Sequence, residues 1–265
     1  TMIIVTFGAL GAVVAGLIGK SFGWQATYII GGCMGLALLL LRAGALESGM
    51  YSHAAEQSHV KKGNIFMLFS NRKTLLKYLA CIGIGLPVWY VIGVHINLSN
   101  RFAEAQQITV SVADCVMFAY LGLSVGDLLS GLLSQLLKSR KKVVRMYLAS
   151  CLLLSLVYLF LPAHSAFYFK LMSFLLGAAT GYWALFVTIA SEQFGTNIRS
   201  TVTNTVPNFV RGAVVPITLG FKALAPTYGL VWAATIVGII CCLIAVISNL
   251  YIKETFSKDL NYFEE

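Results

Sequence analysis

The segment "NTVPNFVRGAVVP", Asn204 to Pro216, places an arginine and two asparagines inside an apolar stretch. Asn204, Asn208, Arg211, Val215 and Thr218 fall at i, i+4, i+7, i+11 and i+14, one face of an α-helix. An arginine at the centre of a membrane helix costs about 2.5–3.5 kcal/mol on insertion scales. It must therefore face protein, water or an anion. Two chemistries fit: an anion-binding cation in a cavity, or an ion pair with a carboxylate on a neighbouring helix. The asparagine amides can bond a solute or another helix. Counted from Val202, Arg211 lies roughly 13 Å deep at ~1.5 Å per residue, near the middle of a ~30 Å hydrocarbon core. Pro207 and Pro216 free backbone carbonyls and bend the helix, which suits a hinge.

Other polar residues punctuate other apolar runs. Asp127, in "GLSVGDLLSG", is a candidate proton-coupling residue, a candidate partner for Arg211, or a neutral hydrogen-bonded acid. Asp114 is a second proton-coupling candidate, with an interfacial structural role as the alternative. Gly122, Gly126, Ser130 and Ser134 form an i, i+4 stripe that permits close helix contact. In "CIGIGLPVWYVIGVHINLSN", Gly83, Gly85 and Pro87 interrupt the helix, while Tyr90 and Asn97 share a face at i, i+7. Both are candidate substrate contacts. Trp89 can stack on a ring or close a gate, and His95 invites comparison with a proton relay. "GAATGYWALF" adds Tyr182 and Trp183 at mid-depth as candidate substrate-binding aromatics, with Gly177 and Gly181 spaced as a GxxxG contact.

Eight apolar runs must position these groups: Met2–Gly19, Gln25–Leu41, Leu75–Leu98, Ile108–Leu133, Val143–Leu161, Phe167–Ala190, Val202–Leu224 and Leu230–Leu250. Each is long enough for a membrane-crossing helix rather than a barrel strand. The chain of 265 residues is 58% hydrophobic and 11% charged, with mean hydropathy +0.81. Soluble domains are about a quarter charged. The expected fold is all-α, a polytopic membrane bundle of about eight helices.

The net charge of +9 reads as topology bias, not nucleic-acid binding. Arg42, Lys61, Lys62, Arg72, Lys73 and Lys77 cluster between spans two and three. Lys138, Arg140, Lys141, Lys142 and Arg145 cluster between four and five. Arg199 follows span six, and Lys253 and Lys258 follow span eight. The opposite connections hold Lys20, Arg101 and Lys222. The positive-inside rule places the rich loops and the C-terminus in the cytoplasm. The six cysteines lie within apolar runs, with no metal spacing, and read as small hydrophobes. No metal or cofactor is expected. Paired acids or a nucleophile beside a base, which an intramembrane enzyme needs, are not seen.

An internal repeat organises the chain. "GAVVAGLIGKSFGWQATYIIGG" (Gly11–Gly32) and "GAVVPITLGFKALAPTYGLVWAATIVG" (Gly212–Gly238) share Gly-Ala-Val-Val. Each then carries a lysine, Lys20 or Lys222, and an aromatic–glycine turn, Phe22-Gly23 or Tyr228-Gly229. Spans one and two thus correspond to spans seven and eight, a period of six helices. Spans two, five and eight are greasy on nearly every face, whereas three, four, six and seven carry polar and small residues.

These landmarks resemble the Major Facilitator Superfamily of secondary transporters. "SFGWQATYIIGGCMGLALLLLRAGALESGMY" resembles that family's sixth helix with its flanking elements. "GLLSQLLKSRKKVV" is similar to its basic loop motif, and "SEQFGTNIRSTVTN" to its Glu…Phe-Gly-Thr…Arg element. "YIKETFSKDLNYFEE" resembles tails of metabolite:proton symporters and sugar porters. The resemblance implies that the eight spans are family helices five to twelve, so that the chain is a truncated fold lacking four upstream helices, its missing partners in cis. Residues 1–43 would end the N-terminal bundle, 44–73 form a cytoplasmic central loop, 74–252 the C-terminal six-helix bundle, and 253–265 a cytoplasmic tail.

The basic loop departs from the family pattern. Gly131 matches its glycine, but Gln135 stands where an aspartate is usual; Arg140 and Lys141 supply the basic end. In the family that acid latches a gate against a helix N-terminus, a charge–dipole interaction. Glu192 and Arg199 can pair with Arg140 or with each other, or stay solvated. "GNIFMLFSN" can form a short helix on the membrane surface.

The resulting expectation is secondary active transport of a small polar solute, an organic anion, metabolite or sugar. It would be proton-coupled and work by alternating access, in the plasma (inner) membrane, as a monomer within the lipid bilayer. The competing reading is a transport-inactive receptor or scaffold, favoured by Gln135 alone.

Overall fold

The computed structural model describes residues 2–42 and 65–257. Lys61, Lys62, the Glu47-Ser48 element, Lys258 and the last residues of the tail lie outside the described residues, as does most of the 44–73 connection.

Every described element is helical. In chain order these are α1 (Met2–Arg42), α2 (Met67–Ser70), α3 (Arg72–Tyr90), a π-helical segment (Val91–Ile96) and α4 (Ser99–Glu104). There follow α5 (Val112–Leu136), α6 (Arg140–Phe160), α7 (Ala166–Ala179), α8 (Trp183–Glu192), α9 (Thr196–Gly212) and α10 (Val214–Tyr251). Six helical stretches are long and apolar enough to cross a membrane: 13–41, 72–96, 112–136, 140–160, 166–192 and 196–251. Side-chain oxygens start three of the helices. Asn71 accepts from the Lys73 N–H at 2.9 Å. Ser111 and Ser139 do the same for Asp114 and Lys142, each satisfying an N–H that the first turn leaves without a partner.

Six stretches replace eight separate spans because two of them are divided by a glycine. Gly23 in α1 has φ 84° and ψ 166°; Gly229 in α10 has φ 77° and ψ 166°. Side chains rarely adopt that region, so glycine is the residue that permits the turn. The two copies of the repeat thus share a backbone conformation at the same landmark. At Gly23 the chain folds back, since a methyl on Gly19 would meet Thr27 Oγ1 at 3.4 Å. At Gly229 it also reverses. Val210 and Val214 pack on Gly85 and Gly93 of α3 and its π extension, a parallel run; Tyr90 and then Gly83 receive Ala234 and then Ser248, an antiparallel one.

The Gly122 and Gly126 stripe of α5 lies against α7. A methyl on Gly122 would strike the Phe174 carbonyl, one on Gly126 the Ala178 carbonyl, and one on Gly177 the Ala119 carbonyl. Backbones touch here with no side chain between them, the contact that small residues allow. The sixth span is not the continuous helix the sequence suggested. It stops at Ala179 and restarts at Trp183, and Gly181 in the break closes against Gly126.

Two apolar clusters form the core. One gathers Tyr78, Phe194, Ile198, Val202 and Leu148; the other gathers Phe102, Tyr158, Phe169 and Phe221. Trp24, Tyr28, Leu36 and Leu40, beyond the Gly23 turn, are exposed on the surface that lipid covers. Cys81, Cys115, Cys151, Cys241 and Cys242 are buried, Cys33 is exposed, and all six are free thiols. The part of "GNIFMLFSN" that the structure describes holds the short helix expected there, α2, which ends where Asn71 caps α3. One local expectation is corrected. The seventh span begins at Thr196 rather than Val202, so Arg199 lies in a helix and not in a loop.

Candidate functional site

With the earlier start, Arg211 lies further along its helix than the sequence suggested. It stands at the middle of residues 196–228, about 22 Å from Thr196 at ~1.5 Å per residue. The face carrying Asn204, Asn208, Arg211 and Val215 is exposed. The opposite face buries Val202, Val206 and Val210 completely. The asparagines do not bridge helices. Asn204 Nδ2 donates to the Ser200 carbonyl at 3.0 Å and Asn208 Nδ2 to the Asn204 carbonyl at 2.9 Å. The Asn208 side-chain oxygen Oδ1 then accepts from Arg211 Nη1 at 3.1 Å.

Arg211 opens on a cavity of about 320 Å³. Its walls come from α1 (Gly8), α3 and its π extension (Val88, Trp89, Ile92), α5 (Tyr120, Leu123) and α8 (Trp183). The guanidinium carbon lies 5.3 Å from the Trp183 ring centroid, within the range of a cation–π contact. Trp89 meets Trp183 edge-on at 6.3 Å. The break before α8 is what presents Trp183 at this depth. Sequence reasoning missed Tyr120; it is the single large polar aromatic in the fourth span, seven residues before Asp127.

Asp127 does not pair with Arg211. It is fully buried, and its Oδ1 accepts from the Ala184 N–H at 2.9 Å. The acid of α5 thereby caps the first turn of α8, where backbone N–H groups lack partners and the helix dipole favours negative charge. Tyr147 and Ser130 hold the same corner by donating to the Gly126 and Asp127 carbonyls at 2.8 and 3.0 Å.

Three proposed substrate contacts lie elsewhere. Tyr90 is buried, and its hydroxyl donates to the Ala234 carbonyl at 2.8 Å, joining α3 to α10. Tyr182 is fully buried and donates to the Ile84 carbonyl at 2.9 Å. Asn97 is exposed at the end of the π-helical segment. Its N–H bonds the Ile92 carbonyl, an i to i+5 step. The widened turn breaks the two-turn register on which a shared face for Tyr90 and Asn97 depended. His95 is fully buried among Tyr90, Tyr158 and Phe102, away from the cavity.

The two ends of the bundle carry ionic clasps. At one end Asp114 pairs with Lys20 of α1 and with Lys170 of α7, the latter at 2.8 Å. At the other, basic end Arg140 pairs with a buried Glu192 at 2.7 Å; burial rules out the solvated role for this acid. Arg199 Nε donates to the Ser191 and Phe194 carbonyls at 3.2 and 3.3 Å. Gly131 is buried and Gln135 exposed.

A residue the sequence reading passed over supplies an acid at the start of α6. Glu254, just past α10, accepts from the Ser139 hydroxyl and from the Arg140 and Lys141 N–H groups at 3.0 and 3.3 Å. Lys141 Nζ returns to the Leu250 and Ile252 carbonyls, and Gln193 Nε2 to that of Lys253 at 2.6 Å. Partial burial of Glu254 would raise its pKa. The hydrogen bonds from Ser139 and from the Phe256, Arg140 and Lys141 N–H groups outweigh this and hold the carboxyl below its ordinary value.

Helices that touch backbone to backbone, an arginine beside a cavity and ionic clasps at both ends describe a polytopic helical bundle. The chain matches the Major Facilitator Superfamily over residues 1–209. No curated protein matches it. The family match spans most of the described bundle and stops just before Arg211, and with the all-helical architecture it settles the assignment: the chain belongs to the Major Facilitator Superfamily.

Proposed function

We propose that this chain carries a small organic anion across the membrane in symport with protons, by alternating access around the cavity that Arg211 lines. Secondary transport is the general activity of its family. The observation that carries the anion reading is that Arg211, at mid-depth, bonds Asn208 and stacks on Trp183 but pairs with no acid among the described residues. A cation in that position needs a counter-charge, and a bound anion supplies one. Asn208, itself anchored on the Asn204 carbonyl, orients the guanidinium, and Trp183 stacks against it.

Asp127 is the coupling residue we favour over Asp114. One of its carboxylate oxygens is buried without a hydrogen-bond partner, and it joins α5 to α8, both of which line the cavity. Asp114, held between two lysines, suits a clasp that opens and closes one end. The Arg140, Lys141 and Glu192 end would face the cytoplasm with the C-terminus, as the charge asymmetry supports. Residues 74–252 would then act as the six-helix unit of a plasma-membrane monomer, rocking against the unit to which 1–43 belong.

Counterflow in proteoliposomes tests this reading with a panel of small carboxylates and neutral sugars. An anion should exchange in the wild type and fail to do so in Arg211→Ala. Asp127→Asn should keep exchange and lose accumulation driven by a proton gradient. Exchange of a neutral sugar that Arg211→Ala leaves intact would overturn it.

A further inference from the structure

We propose that a second cavity, at the end of the bundle opposite the basic loops, holds a membrane phospholipid with a zwitterionic headgroup. Its phosphate sits on Arg101, its ammonium beside Glu104, and the start of one acyl chain between α6 and α10. Nothing in this site depends on Arg211.

The cavity has a volume of about 260 Å³. It lies where three elements end or turn. Ala105 and Gln106 follow α4, Phe160 and Leu161 close α6, and Leu230 and Val231 follow the Gly229 turn of α10. Because α6 runs from Arg140 in the basic cluster to Phe160, these residues stand at the far end of a membrane-crossing helix. Phe160 meets the exposed Trp232 edge-on at 5.3 Å, and aromatic rings of this kind gather at the depth of the headgroups. The volume is below the roughly 300–1,000 Å³ of clefts that enclose a whole small molecule. It suits part of a chain whose remainder stays in the bilayer.

An acyl chain gains little by leaving its neighbours for an apolar groove, since lipid tails are as apolar as leucine. Recognition must come from polar groups at the rim. Arg101, Glu104 and Ala105 are the exposed residues of α4 and its cap, at i, i+3 and i+4 on one face. Ala105 lines the cavity, so this face sets a cation and an acid at its edge.

Each rim group matches one part of a phospholipid. The guanidinium fork of Arg101 fits phosphate oxygens. Glu104 suits an ammonium, as does the last turn of α6, whose carbonyls form the negative end of the helix dipole. Gln106 Oε1 accepts from the Ala163 N–H at 2.6 Å, which fixes the carboxamide and leaves its NH2 to donate to an ester carbonyl. A headgroup with both charges fits this rim; a purely anionic one would meet Glu104 as a like charge.

The test is native mass spectrometry of the full chain in detergent, titrated with phosphatidylethanolamine or phosphatidylglycerol of the same chains. The first phosphatidylethanolamine should bind at least fivefold more tightly than phosphatidylglycerol. Arg101→Gln should weaken it severalfold, and Glu104→Gln should remove the preference between the two lipids. Both residues are exposed, so the melting temperatures should stay at the wild-type value. Ala105→Leu narrows the cavity and should weaken both lipids. Phosphatidylethanolamine with brominated chains should quench fluorescence saturably at one lipid per chain, and Trp232→Phe should lack that saturable part. Equal affinity for the two headgroups would overturn the proposal, as would a first lipid indifferent to both Arg101→Gln and Ala105→Leu. Saturable quenching that survives in Trp232→Phe would place the lipid elsewhere and overturn it too.

Discussion

Arg211 and Trp183 meet across two elements, the guanidinium carbon 5.3 Å from the indole ring centroid. The pair forms because the helix break at residues 180–182 brings Trp183 to the depth of Arg211. A cation–π contact of this kind is worth about 0.5–2 kcal/mol. Trp183→Leu should therefore raise the Kd of an anionic ligand by about two- to thirtyfold, with Asn208→Ala acting in the same direction. Calorimetric titration of both variants checks this. Asn208 is exposed, so Asn208→Ala should retain the wild-type melting temperature.

Asp127 and Ala184 couple α5 to the start of α8 through a 2.9 Å hydrogen bond. Losing such a cap costs about 0.5–2 kcal/mol. Asp127→Ala should lower thermal stability and speed hydrogen exchange at the Ala184 amide. Asp127→Asn keeps an oxygen acceptor and should protect that amide nearly as well. Equal exchange in both variants would show that the carboxyl does not hold α8.

Close packing of α5 on α7 predicts an asymmetry among glycines. A side chain on Gly126 meets backbone, which cannot rotate away, and overpacking of this sort costs about 1–3 kcal/mol or more. Gly126→Val should misassemble or melt well below the wild type. At Gly220, about two turns into α10, a methyl meets nothing within 4 Å. Gly220→Ala should be neutral, or stabilising by up to about 1 kcal/mol. Fluorescence-detected size exclusion after a heating series distinguishes the two.

The tail clasp should respond to acid. The Glu254 pKa is lower in the folded protein than its ordinary 4.5, so the ionised form is the one that stabilises. Its contribution is fully present above about pH 4.5, the unfolded value, and is lost as pH falls through the lower folded value. Hydrogen exchange at the Arg140 and Lys141 amides should accelerate over that acid range. Glu254→Gln should show faster exchange already at neutral pH, with a flatter dependence on pH.

Helix number, the turns at Gly23 and Gly229, and the glycine stripe were legible because each rests on local properties: apolar length, a conformation needing glycine, and residue size at i, i+4. The face from Asn204 to Arg211 was legible for the same reason. What periodicity could not show was the irregular backbone. The π-helical segment at Val91–Ile96 separates Tyr90 from Asn97, and the break at Thr180–Tyr182 separates a structural Tyr182 from a cavity-lining Trp183. Both depend on tertiary contacts, Tyr90 with Ala234 and Gly181 with Gly126. The partner of Asp127 was equally hidden, since a backbone N–H leaves no mark in the sequence.

The most direct test of Arg211 as the anion-binding group is the affinity of Arg211→Gln for the carboxylate that exchanges in counterflow, measured beside its melting temperature. Removing a hydrogen bond to a charged group costs about 1.5–3 kcal/mol. The Kd should therefore rise at least about tenfold while the melting temperature stays at the wild-type value, since no acid among the described residues pairs with this arginine. An unchanged Kd, or a protein that misassembles and is rescued by adding Asp127→Asn, would contradict the account and return Arg211 to a structural pair.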